Sequence, residues 1–293
     1  MLESSQKLKN KMLKINYLHT CYSWVGVVIL SKFFNVLSKA IVKERRKMLS
    51  KRIYDKYNGI VQFGPYKDMK LGNRSNISQG PLALKILGLY EQAVVNKINS
   101  IGKFDDFLNF GAADGYMALG PLFNKSCERS ICFEMTEKGR AAVEKNASLN
   151  SLDKNLVIKG KVDFNVIATL EELNFNPNNS VLLCDIEGAE FDIFTNELLS
   201  FLDGMTIIIE LHDRLIYGGD SLRSELQKRI PKNANIEIIS NKNTINFDGI
   251  YDLEILNDND RAIVMSEGRK FYGEWLVIEH NRWLWSEYPY KYS

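Results

Sequence analysis

The sequence contains few cysteines, histidines and prolines, and these scarcities exclude classes of protein. Its 293 residues include 4 cysteines, 3 histidines and 6 prolines. The cysteines form no CxxC pair, and no group of cysteine and histidine has the spacing of a zinc site. Disulfide-rich secreted domains and zinc modules are therefore excluded. Cys132 and Cys184 stand inside apolar runs, where a free thiol packs as a small hydrophobic group, so we expect a reducing, cytoplasmic compartment.

A long apolar run is also missing. The run "YSWVGVVIL", residues 22–30, is shorter than the ~20 residues that a membrane-spanning helix needs, and no small-residue cleavage pattern follows it. Lysines precede the run, as they do in membrane-surface segments. We therefore expect a helix that packs on the body or lies on a membrane surface, with peripheral membrane contact through residues 20–52.

Charge is distributed unevenly along the chain. Residues 1–52 hold nine lysines and three arginines against Glu3 and Glu44, which gives a net charge of +10. Because the whole chain carries +2, the remainder carries −8. The sequence thus predicts a basic helical extension, residues 1–52, before a domain of residues 53–293. Such an extension suits nucleic acid, an anionic membrane or an acidic glycan, and a solvated helical arm is the alternative.

Strand-like and helix-like patterns alternate in the larger segment. A helical pattern runs from Leu84 to Ile98. Continuous apolar runs suit strands buried on both faces, so repeated βαβ units and a parallel sheet are predicted. The runs are "FLNF" at 107–110, "SICFE" at 130–134, "NLVIKG" at 155–160, "VLLCD" at 181–185 and "MTIIIELH" at 205–212. Ligands bind beyond the carboxyl ends of such strands, where Gly111, Glu134, Asp185 and His212 are expected.

The loop after the first run is "NFGAADGY", residues 109–116. The dinucleotide pattern GxGxxG is absent because Ala113 and Tyr116 take its second and third glycine positions. Asp114 would also repel a pyrophosphate, so NAD and FAD are disfavoured against a less anionic ligand. An ordinary strand-to-helix turn is the alternative.

Glu134 ends the second run. A carboxylate there can accept hydrogen bonds from two ribose hydroxyls, and a helix-start carboxylate stabilised by the helix dipole is the alternative. With the glycine loop, Glu134 indicates a nucleoside site.

These features resemble the class I S-adenosylmethionine-dependent methyltransferases. "NFGAADG" is similar to the first motif of that family. "DIEGAE", residues 185–190, looks like the signature of its FkbM-type members, and "TLEEL" at 169–173, Asn146, Asn150 and "IIIELH" at 207–212 match the segments around it. The resemblance runs from about Gly64 to His212. It implies a Rossmann-like, doubly wound, mostly parallel sheet of seven strands and S-adenosyl-L-methionine as cofactor.

The resemblance also implies roles for individual residues. Glu134 would hold the ribose, Asp163 the adenine amino group, and Asp185 would lie beside the methionine end and the acceptor. The full set implied to bind the cofactor is Asn109, Gly111, Ala112, Gly115, Tyr116, Glu134, Asp163 and Asp185. Departures from the family pattern at Asn109, Met135 and Cys184 leave the subfamily open.

Four acids crowd into "CDIEGAEFD". The helical spacing of Phe191, Phe194, Leu198 and Leu202 predicts one helix, whose start would stabilise Glu187, Glu190 and Asp192. Asp185 instead ends a buried strand and would point into the cleft, where a sulfonium cation is a fitting partner.

His212 is the expected general base for O-methylation, because its pKa lies near neutral pH. Strand alternation would place Glu210 on the same face. Catalysis is therefore assigned to His212, Asp185 and Glu210. The same three residues could alternatively hold Mg²⁺, and a capping histidine is a third interpretation.

The sequence thus predicts an O-methyltransferase acting on a hydroxyl of a sugar, glycan or related small metabolite. The acceptor class rests on the family resemblance alone. Two rivals remain: an RNA methyltransferase that uses the basic arm, and a non-catalytic protein with a degenerate cofactor pocket. The aromatic tail, residues 269–292, is predicted to contain a strand at "EWLVIEH", residues 274–280.

Overall fold

A computed structural model describes residues 31–32, 34–72, 81–242, 247 and 249–280. The chain divides into two compact units, Met1–Met48 and Leu49–Ser293. The predicted boundary at residue 52 remains a prediction. The run at 22–30 and the aromatic tail after residue 280 lie outside the described residues.

Residues 34–48 of the first unit are helical. Leu37, Ile41 and Met48 are 42%, 60% and 59% exposed. Their spacing of four and seven residues places them on one face of the helix. Within the described ranges, no helix has the length and apolar content needed to cross a membrane.

The second unit contains a seven-stranded sheet with the order β3-β2-β1-β4-β5-β7-β6. The first five strands run parallel, whereas β7 is antiparallel to both of its neighbours. The strand bounds are Phe104–Phe110, Cys127–Phe133, Leu156–Lys159, Val181–Cys184, Thr206–Glu210, Ala234–Ser240 and Glu274–His280, for β1 to β7 in turn. The predicted Rossmann-like, doubly wound and mostly parallel sheet of seven strands is confirmed, as is the strand at 274–280.

Helices cover both faces of this sheet. Residues 49–56 are helical and form α1. The later helices are α2 Leu82–Ile86, α3 Gln92–Ser100, α4 Tyr116–Phe123, α5 Glu137–Leu149, α6 Val166–Glu172, α7 Glu190–Ile193, α8 Asn196–Phe201, α9 Gly219–Arg229, α10 Tyr251–Glu254 and α11 Asp258–Met265. Short 3₁₀ turns lie between α5 and β3, at Asp153–Asn155, and between β5 and α9, at Asp213–Leu215.

The core has one layer on each face of the sheet, because successive strand residues point to opposite sides. Phe107 packs in one apolar cluster with Trp275 and Val277, and its neighbour Leu108 packs in the other with Leu276. The central parallel strands β1, β4 and β5 are buried on both faces, which explains their continuous apolar runs, whereas the edge strand β3 is partly exposed.

Two predicted helices are each interrupted. The pattern from Leu84 to Ile98 forms α2 and α3, because Gly88 and Glu91 adopt left-handed backbone conformations between them. The pattern from Phe191 to Leu202 forms α7 and α8. Thr195 has an extended backbone there, and its side chain caps α8 by accepting from the Leu198 N–H. Apolar spacing alone does not reveal such breaks.

Candidate active site

A cleft of about 400 Å³ opens at the carboxyl ends of β1, β4 and β5. Chain connections leave β1 and β4 in opposite directions along the sheet, so this is the topological switch point where doubly wound sheets bind ligands. Three predicted residues line the cleft: Asp185, Glu210 and His212. Further lining residues include Lys85, Tyr90, Ala113, Glu187, Arg214, Glu267, Arg269, Lys270, Phe271 and Tyr272.

The loop after β1 is shaped by the neighbouring strand. Gly111 has φ +89°, and a Cβ atom there would overlap the carbonyl oxygen of Asp185. Glycine is therefore required at this position because the ends of two strands pack closely. The sequence had suggested a different reason, the approach of a ligand to the backbone. The N–H groups of Gly111 and Ala112 both donate to the Phe133 carbonyl, at 2.9 and 3.0 Å. Gly115, with φ +86°, starts α4.

Glu134 connects the ends of β1 and β2. Its Oε2 accepts a 2.9 Å hydrogen bond from the Ala113 N–H, and its Oε1 accepts from the Thr136 N–H and hydroxyl at 2.8 and 2.7 Å. A carboxylate offers about four acceptor positions, so one remains for a ligand hydroxyl. The carboxylate is half-buried and held in place before any ligand arrives.

Asp114 is neutralised by a buried lysine. Lys85 Nζ lies 2.6 Å from its Oδ2, and the Lys85 side chain is only 4% exposed. The same ammonium group lies 4.8 Å from the ring centroid of Tyr90. The argument that Asp114 repels a phosphate by its charge is therefore wrong, since Lys85 supplies the opposite charge.

Of the eight residues in the predicted cofactor set, Asp185 lines the cleft and the other seven do not. Three of those seven have structural contacts of their own. Asn109 is 1% exposed and donates to the Leu183 carbonyl at 3.2 Å, which ties β1 to β4. Tyr116 is buried, with its ring edge-on to Tyr90. Asp163 is exposed and accepts from the Asn165 N–H at 2.8 Å. Their assignment to the cofactor stays a prediction.

Glu190 holds His212 in position. Its carboxylate is fully buried and accepts from the His212 backbone N–H at 2.9 Å and from the Gly188 N–H at 2.8 Å. Its Oε1, which accepts from the His212 backbone N–H, also lies 3.2 Å from His212 Nδ1. If Nδ1 carries the proton, Nε2 is left as an acceptor. Glu190 therefore starts α7, as predicted, and also positions His212, which the sequence did not predict.

The imidazole of His212 faces two further acids. Its Nε2 lies 3.6 Å from Asp185 Oδ1 and 3.6 Å from Glu187 Oε2. Burial lowers the pKa of His212, but the hydrogen bond to Glu190 and the nearby carboxylates outweigh it and raise the pKa above 6.5. β5 ends at Glu210, so His212 lies beyond the strand. The alternation of side chains along a strand therefore does not determine the position of His212. Its Nε2 is nevertheless 3.9 Å from Glu210 Oε1.

Glu210 belongs to a buried ionic cluster around Arg269. The guanidinium contacts Glu91 and Glu210, and its Nε lies 2.5 Å from Glu267 Oε2. Burial and the charges of Asp185 and Glu91 raise the pKa of Glu210, because one guanidinium cannot neutralise this many carboxylates. A raised pKa favours the protonated form of Glu210, which makes it a poorer candidate for the base than His212.

Strained backbone surrounds the cleft. Ala113, Glu187 and Glu91 have φ values of 49°, 54° and 44°, in the left-handed region that non-glycine residues rarely adopt. Such conformations persist where the surrounding structure over-determines them, and they cluster at functional sites. Their position around the cleft supports its assignment as the active site.

Two sets of side chains could hold a cation among the described residues. The ligand atoms of Asp185, Glu187 and His212 lie within 4.8 Å of one another, as do those of Glu91, Asp185 and Glu210. The predicted set of Asp185, Glu210 and His212 is not one of them. Glu187 replaces Glu210, whose Oε1 is engaged by Arg269.

Sequence reasoning missed Lys85, Tyr90, Glu91, Glu190 and Arg269. A signal for Lys85 exists, because it stands alone within the apolar segment "PLALKILGLY". Arg269 carries no such signal. Its contacts with Glu210 and Glu91 span 59 and 178 residues.

Comparisons with known proteins give fold-level similarity only. No protein-family model matches the chain, and no curated protein matches it. The FkbM-type resemblance therefore stays a prediction.

Several solved structures are similar to this chain. A Klebsiella pneumoniae protein assigned as an O-methyltransferase is 14% identical, with a TM-score of 0.44 over 84% of this chain and 95% of that one. An O-methyltransferase from Bacillus cereus, in complex with SAH, is 11% identical, with a TM-score of 0.44 over 79% and 90% of the chains. A Streptococcus pneumoniae protein assigned as a tRNA (m1A22) methyltransferase, in complex with S-adenosyl-L-methionine, is 15% identical, with a TM-score of 0.40 over 63% and 71%. At these values, function has to be argued from the site.

Proposed function

We propose that the protein is an S-adenosylmethionine-dependent O-methyltransferase acting on a hydroxyl of a sugar, glycan or related small metabolite. The observation that carries the proposal is the buried Glu190–His212 pair beside Asp185, at the switch point of a doubly wound sheet. A positioned imidazole with one free ring nitrogen suits removal of a hydroxyl proton.

The cofactor side of the site consists of the loop after β1, Glu134 and Asp185. Glu134 would accept from a ribose hydroxyl through the acceptor position left on its carboxylate. Asp185 Oδ1 is buried without a hydrogen-bond partner, and a positively charged group beside it would relieve that cost. Bound S-adenosylmethionine would supply an electrophilic methyl group on a cationic sulfur, which suits this acidic end of the cleft.

His212 would act on the acceptor. During methyl transfer, Nε2 would take the proton of the acceptor hydroxyl, which would leave the substrate oxygen free to bond to the methyl group. The resulting imidazolium is stabilised by the carboxylates of Glu190, Asp185 and Glu187. Positioning and proton removal are thus the contributions of the protein chain.

A divalent cation is an alternative partner for Asp185, Glu187 and His212. Carboxylate oxygens suit Mg²⁺, and the convergence of these ligand atoms fits such an ion. The cation would then activate the acceptor hydroxyl in place of the imidazole. Turnover that persists in EDTA would exclude this alternative.

Titration calorimetry with S-adenosylmethionine tests the proposal. We expect Glu134→Gln to weaken the affinity about tenfold, because a hydrogen bond to a charged group contributes roughly 1.5–3 kcal/mol. Glu137→Gln is the matched control, since Glu137 is an exposed acid in the first turn of α5. No heat and no thermal shift with the wild-type protein would defeat the enzyme hypothesis. Mass spectrometry with labelled cofactor and a panel of glycans and RNA would identify the acceptor.

A further inference from the structure

A second cavity, of about 530 Å³, adjoins the cleft on the side away from Asp185. The two cavities share the lining residues Arg214, Glu267, Arg269, Lys270, Phe271 and Tyr272. The two cavities are therefore neighbours, and a ligand in the second cavity would contact side chains that also line the cleft of His212.

Cations lie around a single buried carboxylate beside the second cavity: Arg214 lines both cavities, and Lys242 follows Asn241, which lines the second one. Glu274 is 7% exposed, and its Oε1 lies 2.7 Å from Arg214 Nη2 and 3.0 Å from Lys242 Nζ. Its Oε2 lies 2.8 Å from Arg223 Nη2. Burial raises the pKa of Glu274, but the hydrogen bonds from Arg223 and Lys242 and the charge of Arg214 outweigh it and lower the pKa to about 2. Glu274 is therefore ionised at every physiological pH.

The positive charge exceeds what Glu274 can neutralise. Glu267 also lines both cavities, but its carboxylate is paired with Arg269. Asp213 is a further acid, with its Oδ2 3.6 Å from Arg223 Nε. Outside the Arg269 cluster, the two carboxylates of Glu274 and Asp213 therefore face three cations, and exposed Lys270 adds a fourth. The side chains of Arg214 and Lys242 are 37% and 53% exposed. Arginine has five N–H donors and lysine three, so donors remain for a ligand.

The charge that lines the site therefore changes sign from one end to the other. The Asp185 end carries the carboxylates that suit a sulfonium cation, whereas the Arg214 end carries excess positive charge. Two aromatic side chains, Phe271 and Tyr272, line both cavities and are 41% and 62% exposed. Exposed aromatic rings of this kind can stack on a sugar ring.

We propose that the Arg214 end is the acceptor subsite and that the acceptor is an anionic sugar, which carries a phosphate or a carboxylate beside its methylated hydroxyl. Arg214, Lys242 and Lys270 would bind the anionic group, and Phe271 or Tyr272 would contact the ring. This inference rests on the proposed function, because it uses His212 as the point where the hydroxyl is placed.

Binding to the full-length protein saturated with S-adenosylhomocysteine tests the inference. Calorimetry would compare glucose 6-phosphate, glucuronate and glucose, so that the phosphate and carboxylate arms are separated. We expect at least one anionic sugar to bind about tenfold or more tightly than glucose, since each charge-assisted contact is worth about that factor. Equal binding of all three sugars, or no binding of either anionic sugar, would overturn the inference.

Two variants separate recognition from structural support. Arg214→Gln and Lys242→Gln should each reduce the preference for the anionic sugar several-fold and leave glucose binding unchanged. Lys103→Gln is the control, because Lys103 precedes the amino end of β1 and the cleft lies at the carboxyl ends of the strands. A lower unfolding temperature with an unchanged preference in both variants would assign the cations to structure alone and contradict the inference.

The failure of the two proposals can be told apart. If S-adenosylmethionine binds but anionic sugars are not preferred, only the acceptor inference fails. If S-adenosylmethionine does not bind, the proposed function fails whatever the sugars do.

Discussion

At the residue scale, Glu190 controls the protonation of His212. The hydrogen bond and negative charge of Glu190 raise the pKa of His212, so the imidazole becomes a base only as the pH rises above 6.5. We expect kcat/KM to rise through an acid limb above pH 6.5. In Glu190→Gln this limb should move to lower pH, by about one unit if a charged hydrogen bond of roughly 1.4 kcal/mol is lost.

The pH profile of kcat/KM measures this shift. Glu197→Gln is the matched control, because Glu197 is an exposed acid in the first turn of α8, away from the imidazole. An acid limb that stays in place in Glu190→Gln would remove His212 as the base.

Gly111 provides a second residue-scale prediction, which concerns stability. Gly111 and Gly102 both have positive φ, +89° and +85°, but only at Gly111 would a Cβ atom overlap neighbouring backbone. An alanine in the left-handed region costs roughly 1–2 kcal/mol, and overlap in a packed region adds about 1–3 kcal/mol. Gly111→Ala should therefore lose more free energy of unfolding than Gly102→Ala, as measured by urea denaturation. Equal losses would show that the contact with Asp185 can relax.

At the element scale, the threonines that cap α5 and α8 make the same capping hydrogen bond but differ in their other contacts. Thr136 caps α5 by accepting from the Gly139 N–H at 3.0 Å, and Thr195 caps α8 in the same way. Only Thr136 also donates to Glu134, the predicted ribose ligand. The start of α5 and the candidate cofactor site are therefore coupled through one hydroxyl.

Replacing each threonine by alanine tests this coupling. Both variants should lose about 1 kcal/mol of unfolding free energy. Thr136→Ala should in addition weaken S-adenosylmethionine binding by about 2- to 10-fold, because it removes a hydrogen bond to a charged carboxylate. Thr195→Ala should bind with wild-type affinity. The same affinity in both variants would separate Glu134 from the cofactor.

Six of the seven strands were predictable because each is a short apolar run bounded by polar residues. The sequence analysis missed β6, whose sequence ANIEIIS mixes polar and apolar residues and is largely exposed. Asp185 and His212 could be placed at one rim for the same reason, since strand ends of a parallel sheet meet there. The break between α2 and α3 could not be predicted. The spacing of Leu84, Val94 and Ile98 fits one helix, whereas the left-handed turn at Gly88 depends on close packing against Phe63.

Consequently the cleft wall from α2 and α3 was missed. Lys85 and Tyr90 line the cleft because this turn redirects the chain, and Glu91 contacts Arg269, a lining residue that is distant in sequence. Local patterns fix strands and loop glycines, but ion pairs between distant segments depend on the completed topology.

At the scale of the whole molecule, the amino-terminal segment combines an excess of positive charge with exposed apolar side chains. Leu37 and Ile41 share an exposed face of helix 34–48, whereas Lys39 and Lys43 follow each of them by two residues, about 200° around the helix axis. An amphipathic helix with a basic polar face suits the surface of an anionic membrane. We therefore predict that the full-length protein binds phosphatidylserine-containing vesicles more strongly than pure phosphatidylcholine vesicles, and less strongly as salt is added.

Cosedimentation with vesicles measures this binding. Replacing Leu37 and Ile41 together by serine should reduce partitioning at least about tenfold, because burying each side chain contributes roughly 1.5–3 kcal/mol. The matched control replaces Ile236 and Ile238 by serine, since these are 44% and 45% exposed on β6 of the second unit. Equal sedimentation of both double variants would exclude the helix as a membrane contact. Salt-dependent binding to RNA with no binding to vesicles would instead favour a nucleic-acid partner for the basic extension, because neutralising phosphates releases counterions.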